Sequence, residues 1–204
     1  ASFNSGEDFH ASTASRVFGV PMDDVTPQMR SRAKAVNFGI VYGQQAYGLS
    51  QSLHIPFYEA KEMIDRYFEV HPGVRTYLDD VVAQAHKDGY AVTLFGRRRY
   101  IPELKAKNAA QRGFGERTAM NHPMQGTAAD IIKLAMRQVQ DELVARDLGT
   151  RLMLQVHDEL IVECPESEAE RVSELLKYEM EHAAQLAVPL TVDVKTGKSW
   201  AEAH

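Results

Sequence analysis

"QMRSRAKAVNFGIVYGQQAYG", Gln28 to Gly48, spaces Arg30, Lys34, Phe38 and Tyr42 four residues apart and breaks at Gly43. At about 100° per residue, a step of four drifts by only ~40° around a helix. The four side chains therefore lie along one face over three turns. A core stripe would be apolar throughout, and a solvated stripe would not end in two rings. One elongated ligand fits the order: Arg30 and Lys34 for anionic oxygens, Phe38 and Tyr42 as flat faces for a sugar and a base. That is the layout of a nucleoside triphosphate. The alternative, solvated cations followed by core rings, stays open on this stretch alone.

Outward from this helix, Thr26 is placed as N-cap with Pro27 at the first helical position. Upstream, residues 7–18 read as a short helix closed by Gly19. Downstream, two amphipathic helices are expected near 57–70 and 74–88, separated by His71-Pro72-Gly73 and closed by Gly89. "YAVTLFGRRRYIPEL" then reads as a small hairpin around a Phe-Gly turn. Two helices near 108–121 and 126–146, divided by Pro123, follow.

"RLMLQVHDELIVE" is a dense apolar run interrupted by His157, Asp158 and Glu159. It reads as buried strand, tight turn, buried strand. Pro165 to about Leu186 is expected to be helical, and "VPLTVDVKTG" to be a last strand. The fold class is α+β: a mainly helical first half, then a small antiparallel sheet with helices on it.

Two adjacent carboxylates on a rigid turn are costly unless solvated or bound to a cation. Asp158 and Glu159 are hard oxygen ligands of the kind Mg²⁺ takes. Two-metal catalysis adds a need for a carboxylate from another strand. A solvated turn is the competing reading.

The chain has 204 residues, 44% hydrophobic and 25% charged, as in a globular protein able to bury a core. Its net charge of −5 is an average over basic clusters, at Arg30–Lys34 and Gly96–Tyr100, and an acidic C-terminal third. A dedicated nucleic-acid coat would be more basic. The single cysteine, Cys164, rules out an internal disulfide and fits a reducing, cytoplasmic compartment. No apolar run is long enough to span a bilayer, and "ASFNSGEDFH" has neither the basic nor the apolar region of a secretory signal.

Together the two motifs resemble DNA polymerase family A, the bacterial DNA polymerase I type. "RSRAKAVNFGIVYG" is similar to the family's motif B on its nucleotide-binding fingers helix, and "QVHDELIVE" to motif C at the palm hairpin. "DFHASTA", "TLFGRRRYIPEL" and "NHPMQGTAADIIKLAM" agree in order and spacing, and "GKSWAEAH" resembles the family's C-terminus. The resemblance implies fingers over residues 1–112, including the hairpin near 90–102, and the C-terminal part of the palm over 113–204. It implies that His10, Arg30 and Lys34 contact the incoming triphosphate, that Phe38 packs on its sugar and base, and that Tyr42 stacks at the template position. Arg117, Asn121, Gln125 and His157 would lie by the primer–template end, Gln125 and His157 on its minor-groove side. Asp158 and Glu159 would bind metal and, with Lys34, form the catalytic set. The implied partners are primer–template DNA and deoxynucleoside triphosphates, the implied cofactor Mg²⁺ (two ions in the complete enzyme). Arg97 to Arg99 read either as a contact for a strand's backbone or as solvated surface.

No stretch of the 204 residues resembles the family's motif A, a strand ending in an aspartate within a "DYSQIE"-like sequence. The expectation is therefore a piece of a longer polymerase, inactive alone, whose open sheet edge invites self-association. A non-catalytic nucleotide or nucleic-acid binding module is the alternative. A metal-dependent nuclease would leave the Arg30–Tyr42 stripe without a role.

Overall fold

The computed structural model describes residues 6–203. The first five residues of the N-terminal stretch and His204, the last residue of "GKSWAEAH", lie outside them. The chain divides into two compact units, Ala1–Gly126 and Thr127–His204.

The first unit opens with helix α1 (Phe9–Phe18). The helix starts two residues later than the expected residue 7, because Asp8 is the cap: its Oδ1 accepts from the N–H groups of His10 and Ala11 at 3.0 and 3.1 Å. Gly19, at φ 68°, ends the helix as the glycine reading expects. Helix α2 (Pro27–Val41) starts as expected, with Thr26 Oγ1 accepting from Met29 N–H at 3.2 Å and Pro27 at N1. Helix α3 (Ala46–Leu53) is one that the sequence reading left unassigned.

Helices α4 (Phe57–Val70) and α5 (Pro72–Asp88) follow. The separator is His71 alone, a correction to the expected His71-Pro72-Gly73. Proline's missing N–H and fixed φ suit the first helical position, so Pro72 starts α5 instead of keeping it apart. Val17, Val36, Ile40, Leu49, Ala60, Met63, Tyr67 and Leu78 form the core of these helices. Arg32 ties α2 to α4 through Glu59, Nη1 to Oε1 at 2.7 Å.

Strands β1 (Tyr90–Val92) and β2 (Arg98–Tyr100) pair antiparallel, Tyr90 opposite Tyr100 and Val92 opposite Arg98. The turn holds Gly96 at φ 83°. Ala85, Ala91, Ile101, Leu104 and Ala119 make a second small core that seats this hairpin.

Helix α6 (Ala109–Ala145) is continuous, with Pro123 inside it. The expectation of two helices divided at Pro123 is therefore corrected. An internal proline removes one backbone bond and strains the preceding turn, at a cost of about 3 kcal/mol. Burial on both sides of it offsets that cost: Ala119 is inaccessible before it, Ala135 and Val139 after it.

In the second unit β3 (Arg151–Val156) and β4 (Glu159–Glu163) pair antiparallel, Val156 opposite Glu159, with a register shift between Leu152 and Leu154. The connection is the two-residue loop His157-Asp158, so strand, tight turn, strand stands. The strands are not buried on both faces as expected. Leu160 and Val162 pack on a core of Val139, Leu143, Val172, Leu175 and Leu176. Met153 and Leu154 are about half exposed, because among the described residues the sheet has two strands and only one covered face.

Helix α7 (Ala169–Glu181) stops at His182, short of the expected Leu186, and its first turn is preceded by a 3₁₀ turn at Glu166–Glu168. "VPLTVDVKTG" forms no strand among the described residues, against expectation. Its alternation supplies a strand's side-chain pattern but no neighbouring strand to pair with. Helix α8 (Trp200–Ala203) is a short last turn. No described helix is long and apolar enough to cross a membrane.

Candidate nucleotide and nucleic-acid site

α2 carries the cation–aromatic stripe on its outward face. Ala33, Val36, Asn37, Gly39 and Ile40 are buried, whereas Arg30, Lys34, Phe38 and Tyr42 are exposed. Phe38 is 47% and Tyr42 49% accessible, which removes the reading in which both rings are core. The ammonium of Lys34 stands 6.0 Å from the centroid of the Phe38 ring.

α1 completes the face. His10 lies with its ring centroid 5.7 Å from that of Phe38. Its Nδ1 is 3.0 Å from Nδ2 of Asn37, which also donates to Thr13 Oγ1 at 3.3 Å. Thr13 in turn donates to Phe9 O at 2.9 Å. With the Asn37 amide in this orientation its nitrogen donates, so Nδ1 accepts and the neutral imidazole carries its proton on Nε2. Burial, and next the Arg30 charge, lower the His10 pKa, with Lys34 adding to the effect. At neutral pH the ring is a neutral donor held beside two cations.

Arg30 is already engaged. Its Nε donates to Asp8 Oδ2 at 2.6 Å. That bond, followed by the Ala11 N–H, holds the Asp8 carboxyl below its ordinary range. Asp8 thus caps α1 with one oxygen and orients Arg30 with the other. An anionic ligand on Arg30 would compete with Asp8 for the guanidinium.

At the C-terminal end of α2, Gly43 sits at φ 67°, and a Cβ there would fall 2.9 Å from Cγ of Arg117. Only glycine permits this approach of the Tyr42–Gly43 turn to α6. Arg117, Asn121 and Gln125 repeat every four residues and share a face of α6, Arg117 and Gln125 exposed and Asn121 half-buried.

In the second unit the carboxylates differ in setting. Asp158 is exposed in the loop, and Glu159 is the half-buried first residue of β4. His157 adopts the left-handed conformation at φ 51°, and its carbonyl accepts from Gln155 Nε2 at 2.6 Å. Such a conformation costs a non-glycine residue roughly 1–2 kcal/mol, so the turn is tightly specified. At the far end of β3, Glu168 accepts from Gly149 N–H and Thr150 Oγ1 at 3.0 and 2.9 Å. Among the described residues no group of three or more histidine, cysteine or carboxylate side chains converges on a metal position. Asp158 and Glu159 offer two hard oxygen donors. That small set fits Mg²⁺, which takes one or two carboxylates and fills its remaining sites with water and phosphate.

The structure brings His10, Arg30, Lys34 and Phe38 to one face and sets Arg117 against the turn that follows Tyr42. His157, Asp158 and Glu159 share one hairpin. Sequence reasoning missed Asp8 and Asn37. The signals were a cap-type residue before α1 and a lone amide on the apolar face of α2.

A family model described as DNA polymerase family A matches residues 1–202. The chain is 51% identical over 202 residues to DNA polymerase I of Caldicellulosiruptor bescii, covering 99% of this chain and 24% of that protein. It is 53% identical over 203 residues to DNA polymerase I of Mycobacterium tuberculosis, covering 99% and 22%. A solved structure of the POL domain of Pol1 from M. smegmatis, in complex with DNA primer-template and dNTP, superposes with a TM-score of 0.93 at 50% identity. That match covers 99% of this chain and 36% of that one. The chain thus spans less than a quarter of the length of these two curated relatives.

Proposed function

The chain belongs to DNA polymerase family A, and from that premise we propose that it serves template-directed DNA synthesis, the transfer of a nucleotide from a deoxynucleoside triphosphate to a primer 3′ end. The observation that carries the reading is the outward face of α2, where Arg30 and Lys34 precede Phe38 and the His10 ring closes one side. Cations and a neutral N–H donor suit a chain of phosphates, and an exposed ring suits a sugar and base.

In this reading His10 donates from Nε2, while Arg30 and Lys34 bind phosphate oxygens and offset charge on the departing pyrophosphate. Phe38 packs against the sugar, and Tyr42 occupies the template position. Arg117, Asn121, Gln125 and His157 line the primer–template end. Minor-groove acceptors are nearly alike for every base pair, so contacts there test pair shape without choosing sequence.

Asp158 and Glu159 are the metal-binding carboxylates. They would hold Mg²⁺, which would supply charge stabilisation for the phosphoryl transfer; a second ion would need a further carboxylate. Residues 1–112 act as fingers and 113–204 as part of the palm, in a cytoplasmic protein. Self-association of the 204 residues through the open edge of the β3–β4 sheet belongs to the same reading.

Primer extension by the polymerase-length protein tests it. Wild type should extend a primed template with Mg²⁺ and four deoxynucleotides, and Asp158→Ala should abolish extension while primer–template binding persists. Extension unaffected by Asp158→Ala would reject the assignment.

A further inference from the structure

The β1–β2 hairpin takes no part in the site above, yet one of its faces is built like a stacking platform. On that face Tyr90 opposes Tyr100 and Val92 opposes Arg98. The two tyrosine rings meet edge to face at 5.5 Å, and the Arg98 guanidinium lies over Tyr90 at 4.9 Å. Tyr100 is 69% accessible, and Leu94 and Phe95 at the turn are also exposed. Arg98 and Arg99 form no ion pair among the described residues.

The surroundings are basic although the chain is acidic. Between Arg97 and Arg112 six cations stand against one carboxylate, Glu103, while the whole chain carries −5. Arg99, Lys105, Lys107 and Arg112 are all exposed. The platform itself is firmly seated. Ala91 and Ile101 are buried beneath it, and Arg97 O lies 3.4 Å from His122 Nε2. A rigid two-stranded support, exposed rings, a guanidinium already stacked on one of them and a surplus of cations are the elements that bind an unpaired nucleic-acid strand. A duplex hides the faces of its bases and would use only the cations.

We propose that the Tyr90–Tyr100 face of the β1–β2 hairpin is a second nucleic-acid contact, selective for single-stranded DNA, with Tyr100 stacking on a base and Arg98, on the same face, meeting the adjacent backbone. The inference rests on the nucleic-acid reading of the chain but not on its catalytic site.

The test is fluorescence anisotropy with the 204-residue chain, a labelled dT20 strand and a labelled blunt 20-base-pair duplex, across a KCl series. Tyr100→Ala should weaken dT20 binding roughly tenfold and leave the duplex within about twofold, because stacking on one base is lost. Tyr100→Phe should restore it. Arg98→Gln should reduce the slope of log K against log salt for dT20 by about 0.7. Tyr100 and Arg98 are exposed, and circular dichroism of each variant verifies the fold.

Wild-type binding to dT20 that Tyr100→Ala leaves unchanged overturns the proposal and spares the nucleic-acid reading. Equal loss on dT20 and duplex overturns the stacking and leaves only general charge attraction. No binding of either probe at low salt overturns the proposal and the nucleic-acid reading together.

Discussion

Arg30 Nε and Asp8 Oδ2 lie 2.6 Å apart, across 22 residues of sequence, so the first cation of the α2 stripe is positioned by the cap of α1. One carboxylate joins a helix start to an exposed guanidinium. Asp8→Ala removes both functions. Loss of the cap should destabilise the unit by about 1 kcal/mol, read as a lower thermal midpoint. Asp8→Asn keeps a capping oxygen and should recover most of that loss, whereas a midpoint equal to that of Asp8→Ala would show that the ion pair dominates.

Arg30→Ala and Lys34→Ala, in the polymerase-length protein, should weaken triphosphate use far more than primer–template binding. A charge-assisted contact is worth roughly 1.5–3 kcal/mol, or about 10- to 100-fold. Steady-state incorporation and DNA-binding titrations separate the two effects, and equal losses in both would refute the triphosphate assignment of this face.

His10 titrates below its ordinary value because burial and the Arg30 and Lys34 charges oppose its protonation. The unfolded chain therefore binds the proton more readily, and stability falls as pH drops from about 6.5 toward the folded-state pKa. Asp8, held low by Arg30, adds a second loss at more acid pH, as the pH falls from its ordinary carboxylate range through its folded-state pKa. Nitrogen NMR should find His10 neutral with its proton on Nε2 at pH 7. His10→Gln should remove the pH dependence that sets in below about 6.5, and a slope unchanged in the variant would remove His10 as its source.

Phe38→Tyr supplies a hydroxyl where the reading places the sugar. In the polymerase-length protein it should ease incorporation of dideoxynucleotides relative to deoxynucleotides, since the new hydroxyl stands in for the missing 3′-OH. The competition ratio of the two substrates measures this, and an unchanged ratio would count against Phe38 as the sugar contact.

Residues 1–204 alone should not extend a primer. Asp158 and Glu159 come from one hairpin, and no third metal ligand joins them among the described residues. Each 1.4 kcal/mol of lost positioning or charge stabilisation is about tenfold in rate, and both are lost together. Mg²⁺-dependent extension by the purified chain, absent in Asp158→Ala, would show that the hairpin suffices.

The sequence by itself determined the elements whose causes are local. Thr26 and Pro27 set the start of α2, Gly19 and Gly89 ended their helices, and the two strand pairs followed from short apolar runs around tight turns. The face of α2 was legible as well, because helical spacing alone puts Arg30, Lys34, Phe38 and Tyr42 in line. Only the tertiary structure decided what that face is made of. Asn37 reaches His10 across 27 residues, and Asp8 reaches Arg30 across 22. No periodicity encodes such pairs, because neither partner's neighbours in the chain are the other's neighbours in space. The misread elements have the same origin. α6 passes through Pro123 because burial on both sides outweighs a local breaker, and "VPLTVDVKTG" has a strand's alternation without a strand to meet. Backbone pairing is a property of two segments, so a pattern in one of them leaves it undecided.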